Sequence, residues 1–292
     1  MTPAQWVDPV LQGLMLGGIY ALYALGLSLM FGVMRLVNTA HGDLVILLCY
    51  GALALAGGRV ANPFVAGALL LPCAMGIGYA LQRLVLNRTL GADPLPSIIA
   101  TFGISVVIQN LLLEWYAADA RALPTMGLES AAFEVGGGLR VGALSALTLA
   151  LAVAITAGFS WVLERTRTGR ELRAAADDAD AAAMMGIRPQ HVYGVATAFA
   201  FAFLAVASVL YGMRVTFSPS DGPAQLIFAF EAVIIGGLGS IWGAFAGGLL
   251  LGVAQSVGFR VSPGWGLLVG HVFFLAMLAV RPQGLFPRAR GA

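Results

Sequence analysis

Near the start of the chain, the segment 38–43 carries polar side chains that lie close enough together to act in proton transfer or to bind a metal. It reads Asn-Thr-Ala-His-Gly-Asp and separates two apolar stretches. A histidine two residues before an aspartate, as in His41 and Asp43, can serve a proton relay or a metal site. The other histidines, His191 and His271, lie far away and give no two-histidine metal spacing. We therefore expect no metal and no catalysis here, and predict a polar turn in which His41 and Asp43 bond to backbone or neighbouring loops.

A second group of polar residues interrupts the apolar stretches further along the chain. Thr101, Ser105 and Gln109 are spaced four apart and share one helix face, and Asn110 follows them. These side chains can line a solute path or bond one helix to another, and the sequence leaves both open. Glu231 is an ionisable residue in an apolar stretch, which costs about 2.5–3.5 kcal/mol at a helix centre. It is predicted either to line the path or to pair with an arginine near the membrane boundary.

The composition indicates that membrane-spanning helices position these side chains. Of 292 residues, 59% are hydrophobic and 10% are charged, whereas soluble domains carry roughly 25% charged residues. Nine apolar stretches lie at 10–33, 43–58, 62–82, 98–116, 142–163, 192–212, 225–240, 242–258 and 265–280. Because a span needs about 20 apolar residues, we predict one all-α polytopic membrane domain, residues 1–292, with eight or nine spans. The number is open because 43–58 is short and 225–258 can be one broken helix.

The basic residues exclude two kinds of chemistry, because all sixteen are arginine. A Walker A loop needs a lysine on the nucleotide phosphates, so the chain cannot bind ATP in that manner. Schiff-base catalysis needs a lysine amine. No acid and base pair, nucleophile or metal constellation stands out, and a net charge of +2 without a basic cluster argues against nucleic-acid binding. We therefore expect a transport protein that has no cofactor and no enzyme activity of its own.

The arginines also predict the orientation, since cytoplasmic loops are enriched in basic residues. Eleven of the sixteen lie in one set of alternating loops and five in the other. With nine spans, this distribution places the N-terminus outside and the C-terminus inside a bacterial inner membrane. Asn38, His41, Gly42 and Asp43 then lie at the inner mouth of the protein. The outer segment 117–141 is predicted to be a solvated connection, either passive or in contact with a soluble partner.

The segment 164–191 is the most informative polar stretch on the predicted inner side. Strong helix formers run from Arg170 through Met185, with Gly169 and Gly186 at either end. This pattern predicts one or two short amphipathic helices lying on the cytoplasmic face.

Glycine is frequent, with 38 residues, and several pairs follow the GxxxG spacing that lets helices approach closely in a membrane. These pairs are Gly13 with Gly17, Gly243 with Gly247, and Gly248 with Gly252. The run from Gly236 to Gly243, which includes Gly237 and Gly239, is denser than helix packing requires. It predicts either a broken or re-entrant element or a tight helical hairpin.

Five motifs together resemble the membrane permeases of branched-chain amino-acid ABC importers. They are Asn-Thr-Ala-His-Gly-Asp at 38–43, Ile-Ala-Thr-Phe-Gly-Ile-Ser-Val-Val-Ile-Gln-Asn at 99–110, the stretch 169–187, the glycine-rich stretch 236–252, and Arg-Pro-Gln-Gly-Leu-Phe at 281–286. Each motif is weak alone, but five in this order along nearly the whole chain are specific.

The resemblance implies a permease that pairs with a second, homologous permease subunit, two cytoplasmic ATPase subunits and a periplasmic solute-binding protein. It also implies that the segment 164–191 couples the ATPases to transport by docking a short helix into a groove on one of them. The residues expected at this contact are Gly169, Arg170, Arg173, Ala174, Asp177, Gly186 and Ile187. The implied solute is a branched-chain or related hydrophobic amino acid. Glu231 stands where a basic or neutral residue is expected, so amides and urea stay open as solutes.

Two hypotheses for the function follow. The chain is either a permease that works by alternating access with separate ATPases, or a self-sufficient secondary transporter or channel. The second hypothesis predicts buried carboxylates or broken helices at matching places in both halves. The sequence shows only Glu231 and one glycine-rich break, so we favour the ATP-driven importer.

Overall fold

The computed structural model of the protein describes residues 4–57, 62–91, 93–134 and 140–286. Within these ranges the elements are α1 (Ala4–Met34), α2 (His41–Ala56), α3 (Pro63–Leu84), α4 (Leu95–Tyr116), β1 (Ala132–Glu134), β2 (Arg140–Gly142), α5 (Ala143–Arg165), α6 (Arg167–Asp177), α7 (Ala179–Met184), α8 (Pro189–Arg214), α9 (Gly222–Gly236), α10 (Ile241–Val261) and α11 (Gly266–Val280). A single 3-10 turn, Leu86–Arg88, follows α3.

Nine of these helices follow the nine apolar stretches of the sequence within a few residues. Six of them, α1, α3, α4, α5, α8 and α10, are long and apolar enough to cross a membrane, judged over the described residues. The other three, α2, α9 and α11, are apolar but have only 15 or 16 residues. The prediction of an all-α polytopic membrane protein is therefore confirmed, and the number of eight or nine spans stays a prediction.

The chain divides into two compact units, and the first contains residues 1–25, 125–156 and 228–292. Within it, the start of α1 packs on α10 through two of the predicted glycine pairs. A Cβ on Gly13 would lie 2.5 Å from the Cα of Val253, and a Cβ on Gly17 would lie 2.5 Å from the Cα of Leu249. The facing glycines of α10, Gly252 among them, have no space for a Cβ either. The GxxxG spacing thus brings these two backbones into direct contact.

The glycine-rich run forms the turn of a helical hairpin in the same unit. The helix α9 ends at Gly236 and α10 begins at Ile241, where the Ser240 hydroxyl accepts a hydrogen bond from Gly243 N at 3.0 Å. Gly237 and Gly239 have φ angles of +111° and +80°, which residues with a Cβ rarely adopt. Of the two predicted forms, the structure shows the tight helical hairpin.

The third predicted pair, Gly243 and Gly247 of α10, lies against the other arm of this hairpin. A Cβ on Gly247 would overlap the Ala232 carbonyl of α9, and a Cβ on Gly243 would lie 2.5 Å from the Gly236 carbonyl oxygen. The neighbouring pair, which begins at Gly248, faces α1 instead. The two pairs therefore pack on different helices, although the sequence analysis gave them one common role and named no partner for either.

The segment 117–141, predicted as a solvated connection, ends in a short antiparallel ribbon. In it β1 pairs with β2, and Phe133 lies opposite Val141. The strands have three residues each, which is too short for an alternating pattern to reveal them in the sequence. The glycines at 136–138 lie outside the described residues.

The second unit contains residues 26–124 and 157–227, and α8 is the most buried of its helices of membrane-spanning length. The Ser208 hydroxyl of α8 donates a hydrogen bond to the carbonyl of Val45 on α2 at 2.9 Å. Against α3, a Cβ on Gly78 would lie 2.7 Å from the Phe201 ring, so the two helices pack closely. By contrast, α3 and α4 leave most of their apolar side chains exposed, as helices facing lipid or another subunit do.

Candidate functional site

The segment 38–43 forms the turn that starts α2, as predicted. The Asn38 side-chain oxygen accepts a hydrogen bond from Ala40 N at 3.1 Å, and the Asn38 carbonyl accepts one from His41 N at 3.2 Å. His41 is the first residue of α2 and is 1% exposed. Its ring lies against Gly26 of α1, where a Cβ would come within 3.1 Å of Cε1. The side chains of Asn38, His41 and Asp43 in this turn are therefore buried rather than solvated.

Asp43 bonds to a helix, whereas the sequence predicted backbone or loop partners. The Ser105 hydroxyl donates to Asp43 Oδ2 at 2.6 Å, and the Gln109 amide donates to Oδ1 at 2.9 Å. Asp43 is 2% exposed and lies in the first turn of α2, where the helix dipole also favours a negative charge. Both carboxylate oxygens of this buried side chain thus accept hydrogen bonds from the chain itself.

The three residues with a spacing of four on α4 all face α2. Besides Ser105 and Gln109, the Thr101 hydroxyl accepts a hydrogen bond from Thr39 N at 3.1 Å and lies 2.8 Å from the Thr39 hydroxyl. Asn110 lies on the exposed side of α4 and donates to the Val106 carbonyl of its own helix at 2.8 Å. The structure therefore brings Thr101, Ser105 and Gln109 to the turn 38–43 and the start of α2, and it leaves Asn110 apart from them.

We name the contact of Thr39 and Asp43 with Thr101, Ser105 and Gln109 the polar seam. A third helix, α9, packs against the polar seam at two glycines. A Cβ on Gly42 would overlap the carbonyl of Gly222, the first residue of α9. A Cβ on Gly222 would overlap the Asp43 carboxylate. The sequence analysis did not identify Gly222, and only its place before a proline in the run Ser-Asp-Gly-Pro marks it as a turn residue.

Two turns beyond Asp43, the contact between α2 and α4 becomes aromatic. Tyr50 is 1% exposed, and its ring centroid lies 4.4 Å from that of Tyr116 and 5.1 Å from that of Phe217. Asp43 and Tyr50 are seven residues apart and so share one face of α2. The interface between the two helices is thus polar at one end and aromatic at the other.

The predicted coupling segment forms two short helices, α6 and α7. On α6, Gly169, Leu172 and Ala175 are buried, whereas Arg170, Arg173 and Asp177 are exposed and Ala174 lies between these extremes. The sequence analysis placed Gly169 before the helix, but α6 begins at Arg167, and the Thr166 hydroxyl caps it by accepting from Gly169 N at 3.1 Å. Gly169 is needed inside the helix because a Cβ there would overlap the Val162 and Leu163 carbonyls of α5.

The end of α7 presents two large apolar side chains that the sequence analysis missed. Met184 and Met185 are each 83% exposed. The helix closes behind them, with Gly186 N bonded to the Ala183 carbonyl and Ile187 N bonded to the Ala182 carbonyl, both at 3.0 Å. Gly186 has a φ of +84°, and this bond pattern with a left-handed glycine is a Schellman C-cap. The cap therefore fixes both methionines at the exposed C-terminal end of α7.

A cleft of about 250 Å³ lies beside α6, between it and the helices α3 and α8. Its lining includes Met75, Glu171, Leu172, His191 and Phe199. The imidazole of His191 is held at the rim, with Nδ1 2.8 Å from the Tyr79 hydroxyl. The side of α6 that faces α8 is therefore incompletely packed.

Glu231 belongs to the first unit, and its partner is a histidine rather than the arginine considered from the sequence. Its Oε1 lies 2.5 Å from Nδ1 of His271 on α11. Glu231 itself is 4% exposed. A carboxylate and an imidazole thus meet among apolar helices.

Comparison with known proteins places these features in a family. Residues 10–280 match the family described as "Branched-chain amino acid transport system / permease component". The high-affinity branched-chain amino acid permease protein BraD of Pseudomonas aeruginosa is 28% identical over 97% of this chain and 96% of its own length. The permease protein LivH of Salmonella typhimurium is 29% identical over the same shares. The autoinducer 2 import permease LsrC of Salmonella paratyphi B is 26% identical over 63% of this chain and 54% of its own. No solved structure matches the chain.

Proposed function

Because the chain belongs to the family of branched-chain amino acid transport system permease components, we propose that it is the membrane permease subunit of an ATP-driven ABC importer for branched-chain or related hydrophobic amino acids. The observation that carries this proposal is the family match, which covers residues 10–280 and therefore nearly every helix. Relatives similar over 97% of the chain are named as branched-chain amino acid permeases. The protein is multi-pass, with its N-terminus outside and its C-terminus inside the inner membrane.

The segment α6–α7 is the contact with an ATPase subunit. Its buried side consists of small and apolar residues seated on the rest of the second unit, and its exposed side carries charges. Met184 and Met185 are the apolar anchors, because exposed methionines adapt to irregular grooves and apolar anchors dominate the energy of such contacts. The cleft beside α6 provides the space in which this helix moves when the ATPases close.

The polar seam, we infer, holds α2 on α4 and does not bind solute. Every hydrogen-bonding oxygen of Asp43 is used within the chain, and Thr101 is fully buried. Satisfied buried polar groups fix the arrangement of helices, since any slip would leave them unpaired. Asn110, on the exposed side of α4, faces lipid or the second permease subunit.

Purification of the tagged chain from its native membrane in mild detergent tests the assembly. We expect two ATPase subunits and a second permease subunit to be recovered with it.

The double substitution Met184→Ser and Met185→Ser should release the ATPases and leave the two permeases together, since burial of a methionine contributes about 1.5–3 kcal/mol. Substitution of two exposed side chains away from the segment, Phe133→Ser and Val215→Ser, is the matched control. Recovery of the chain alone would contradict the proposal.

A further inference from the structure

In the first unit, a chain of contacts joins five polar or aromatic side chains from four helices, with Gln255 at one end and Glu231 at the other. They are Tyr20 of α1, Phe228 and Glu231 of α9, Gln255 of α10 and His271 of α11. We name them the dipolar cluster. They are joined by a hydrogen bond at each end and by the Phe228 ring, whose centroid lies 4.9 Å from that of Tyr20 and 6.3 Å from that of His271.

The carboxylate of Glu231 is only half satisfied. Oε1 is taken by His271 Nδ1, but Oε2 is buried and has no hydrogen-bond partner among the residues that the structure describes. An ionisable group among apolar helices is costly and marks a functional position by default. An unpaired buried oxygen adds to that cost, so a donor from outside the chain is expected at Oε2.

Gln255 has a buried hydrogen-bond donor without an acceptor in the described part of the chain. It is fully buried; its Oε1 accepts a hydrogen bond from the Tyr20 hydroxyl at 2.6 Å. Its Nε2 has no acceptor within the described ranges. A Cβ on Gly270 would lie 3.0 Å from this Nε2, so the amide lies against the residue next to His271. One unpaired acceptor and one unpaired donor are therefore buried in one cluster.

The imidazole of His271 is the partly exposed member of the dipolar cluster. Its side chain is 41% exposed on a face of α11 whose other exposed residues, including Leu268, Val272 and Leu275, are apolar. The Phe228 ring stacks on it with an interplanar angle of 6°. Polar groups at membrane depth face a water-filled cavity or another protein surface rather than lipid, so the imidazole marks the side from which the cluster is approached.

From this arrangement we propose that the dipolar cluster binds the charged end of a zwitterionic amino acid during its passage. The α-ammonium group bonds Glu231 Oε2, while the α-carboxylate accepts a hydrogen bond from Gln255 Nε2. The aromatic faces of Phe228 and Tyr20 further favour a cation. The proposal rests on the proposed function, because it identifies which part of the transported solute this chain recognises.

The importer reconstituted in proteoliposomes, with its binding protein and ATP, provides the test. Glu231→Gln keeps the size of the side chain but removes the charge that an ammonium needs. We expect leucine uptake to fall by about ten- to a hundred-fold, the range for a hydrogen bond to a charged group, while the subunits stay assembled. Glu114→Gln, on an exposed part of α4, is the control and should transport as the unchanged protein does.

A second measurement needs no substitution. Photo-leucine, a zwitterionic leucine with a photoreactive side chain, is illuminated during transport by the unchanged importer. The expected result is labelling on the peptides that carry Phe228, Gln255 or His271. N-acetyl leucine, in which a neutral amide replaces the α-ammonium group, should not compete with the labelling. Labelling only elsewhere in the chain, or wild-type uptake by Glu231→Gln, would overturn the inference. An unchanged importer that moves no amino acid at all would instead overturn the proposed function.

Discussion

The polar seam and the dipolar cluster each bury one carboxylate among apolar helices. They differ in how many of the carboxylate oxygens have a hydrogen-bond partner. Asp43 has a donor from α4 for each of its two oxygens. Glu231 has one partner, on α11, and leaves its second oxygen without one in the described structure. Burial of a charged side chain therefore does not by itself indicate its role. A carboxylate whose hydrogen bonds are complete fixes helices, and one with an open position awaits a ligand.

The largest expected contrast comes from replacing each carboxylate by leucine. Asp43→Leu should destabilise the protein by about 3 kcal/mol or more, because it removes two charged hydrogen bonds and leaves Ser105 and Gln109 without their carboxylate acceptor. Glu231→Leu should cost at most about 1 kcal/mol, since it removes one bond and also one unsatisfied oxygen. The midpoint of thermal unfolding in detergent measures both. Equal losses of stability would remove the distinction between the two regions.

A smaller effect is expected where α9 touches the polar seam. Gly222→Ala places a methyl group on the Asp43 carboxylate and should cost about 1–3 kcal/mol, as overpacking does. Gly76→Ala on α3 is the matched control, because no atom lies within 4 Å of its Cβ position. We expect its unfolding midpoint to stay unchanged or to rise slightly. A tolerated Gly222→Ala would show that α9 does not clamp Asp43.

The smallest contrast separates the two faces of α4. Thr101→Val removes the acceptor of the Thr39 backbone N–H and should destabilise the protein by about 1 kcal/mol. Asn110→Ala, whose amide bonds only the preceding turn, should change stability by less than about 0.5 kcal/mol. The same detergent unfolding assay applies. A larger effect at Asn110 than at Thr101 would mean that the exposed side of α4 carries a contact with another subunit.

Much of the fold follows from the sequence because apolar length and helical spacing are local signals. The nine apolar stretches became nine helices, and the spacing of Thr101, Ser105 and Gln109 placed them on one face. The position of a helix end was less predictable: Gly169 resembles a boundary, but contact with α5 requires a glycine inside α6. The spacing of Gly247 likewise indicated a close contact without indicating that α9 makes it. Such requirements depend on a neighbouring helix, which a local pattern does not contain.

The partners of the candidate residues could not be predicted, because they are distant in sequence. Asp43 and Ser105 are 62 residues apart, and Glu231 and His271 are 40 apart. The exposure of Met184 and Met185 was equally hidden, since a methionine at a helix end is usually buried in a core. The sequence therefore indicated candidate side chains, and the structure showed which of them are hydrogen-bonded within the chain.

On the proposed function, the chain transports only as one subunit of an ATP-driven importer. Uptake of radiolabelled leucine can be measured in proteoliposomes that contain this chain alone, or this chain with the second permease, both ATPases, the binding protein and ATP. We expect uptake only from the complete assembly and only with ATP that can be hydrolysed. Uptake by the chain alone, driven by an ion gradient, would contradict the account and indicate a secondary transporter.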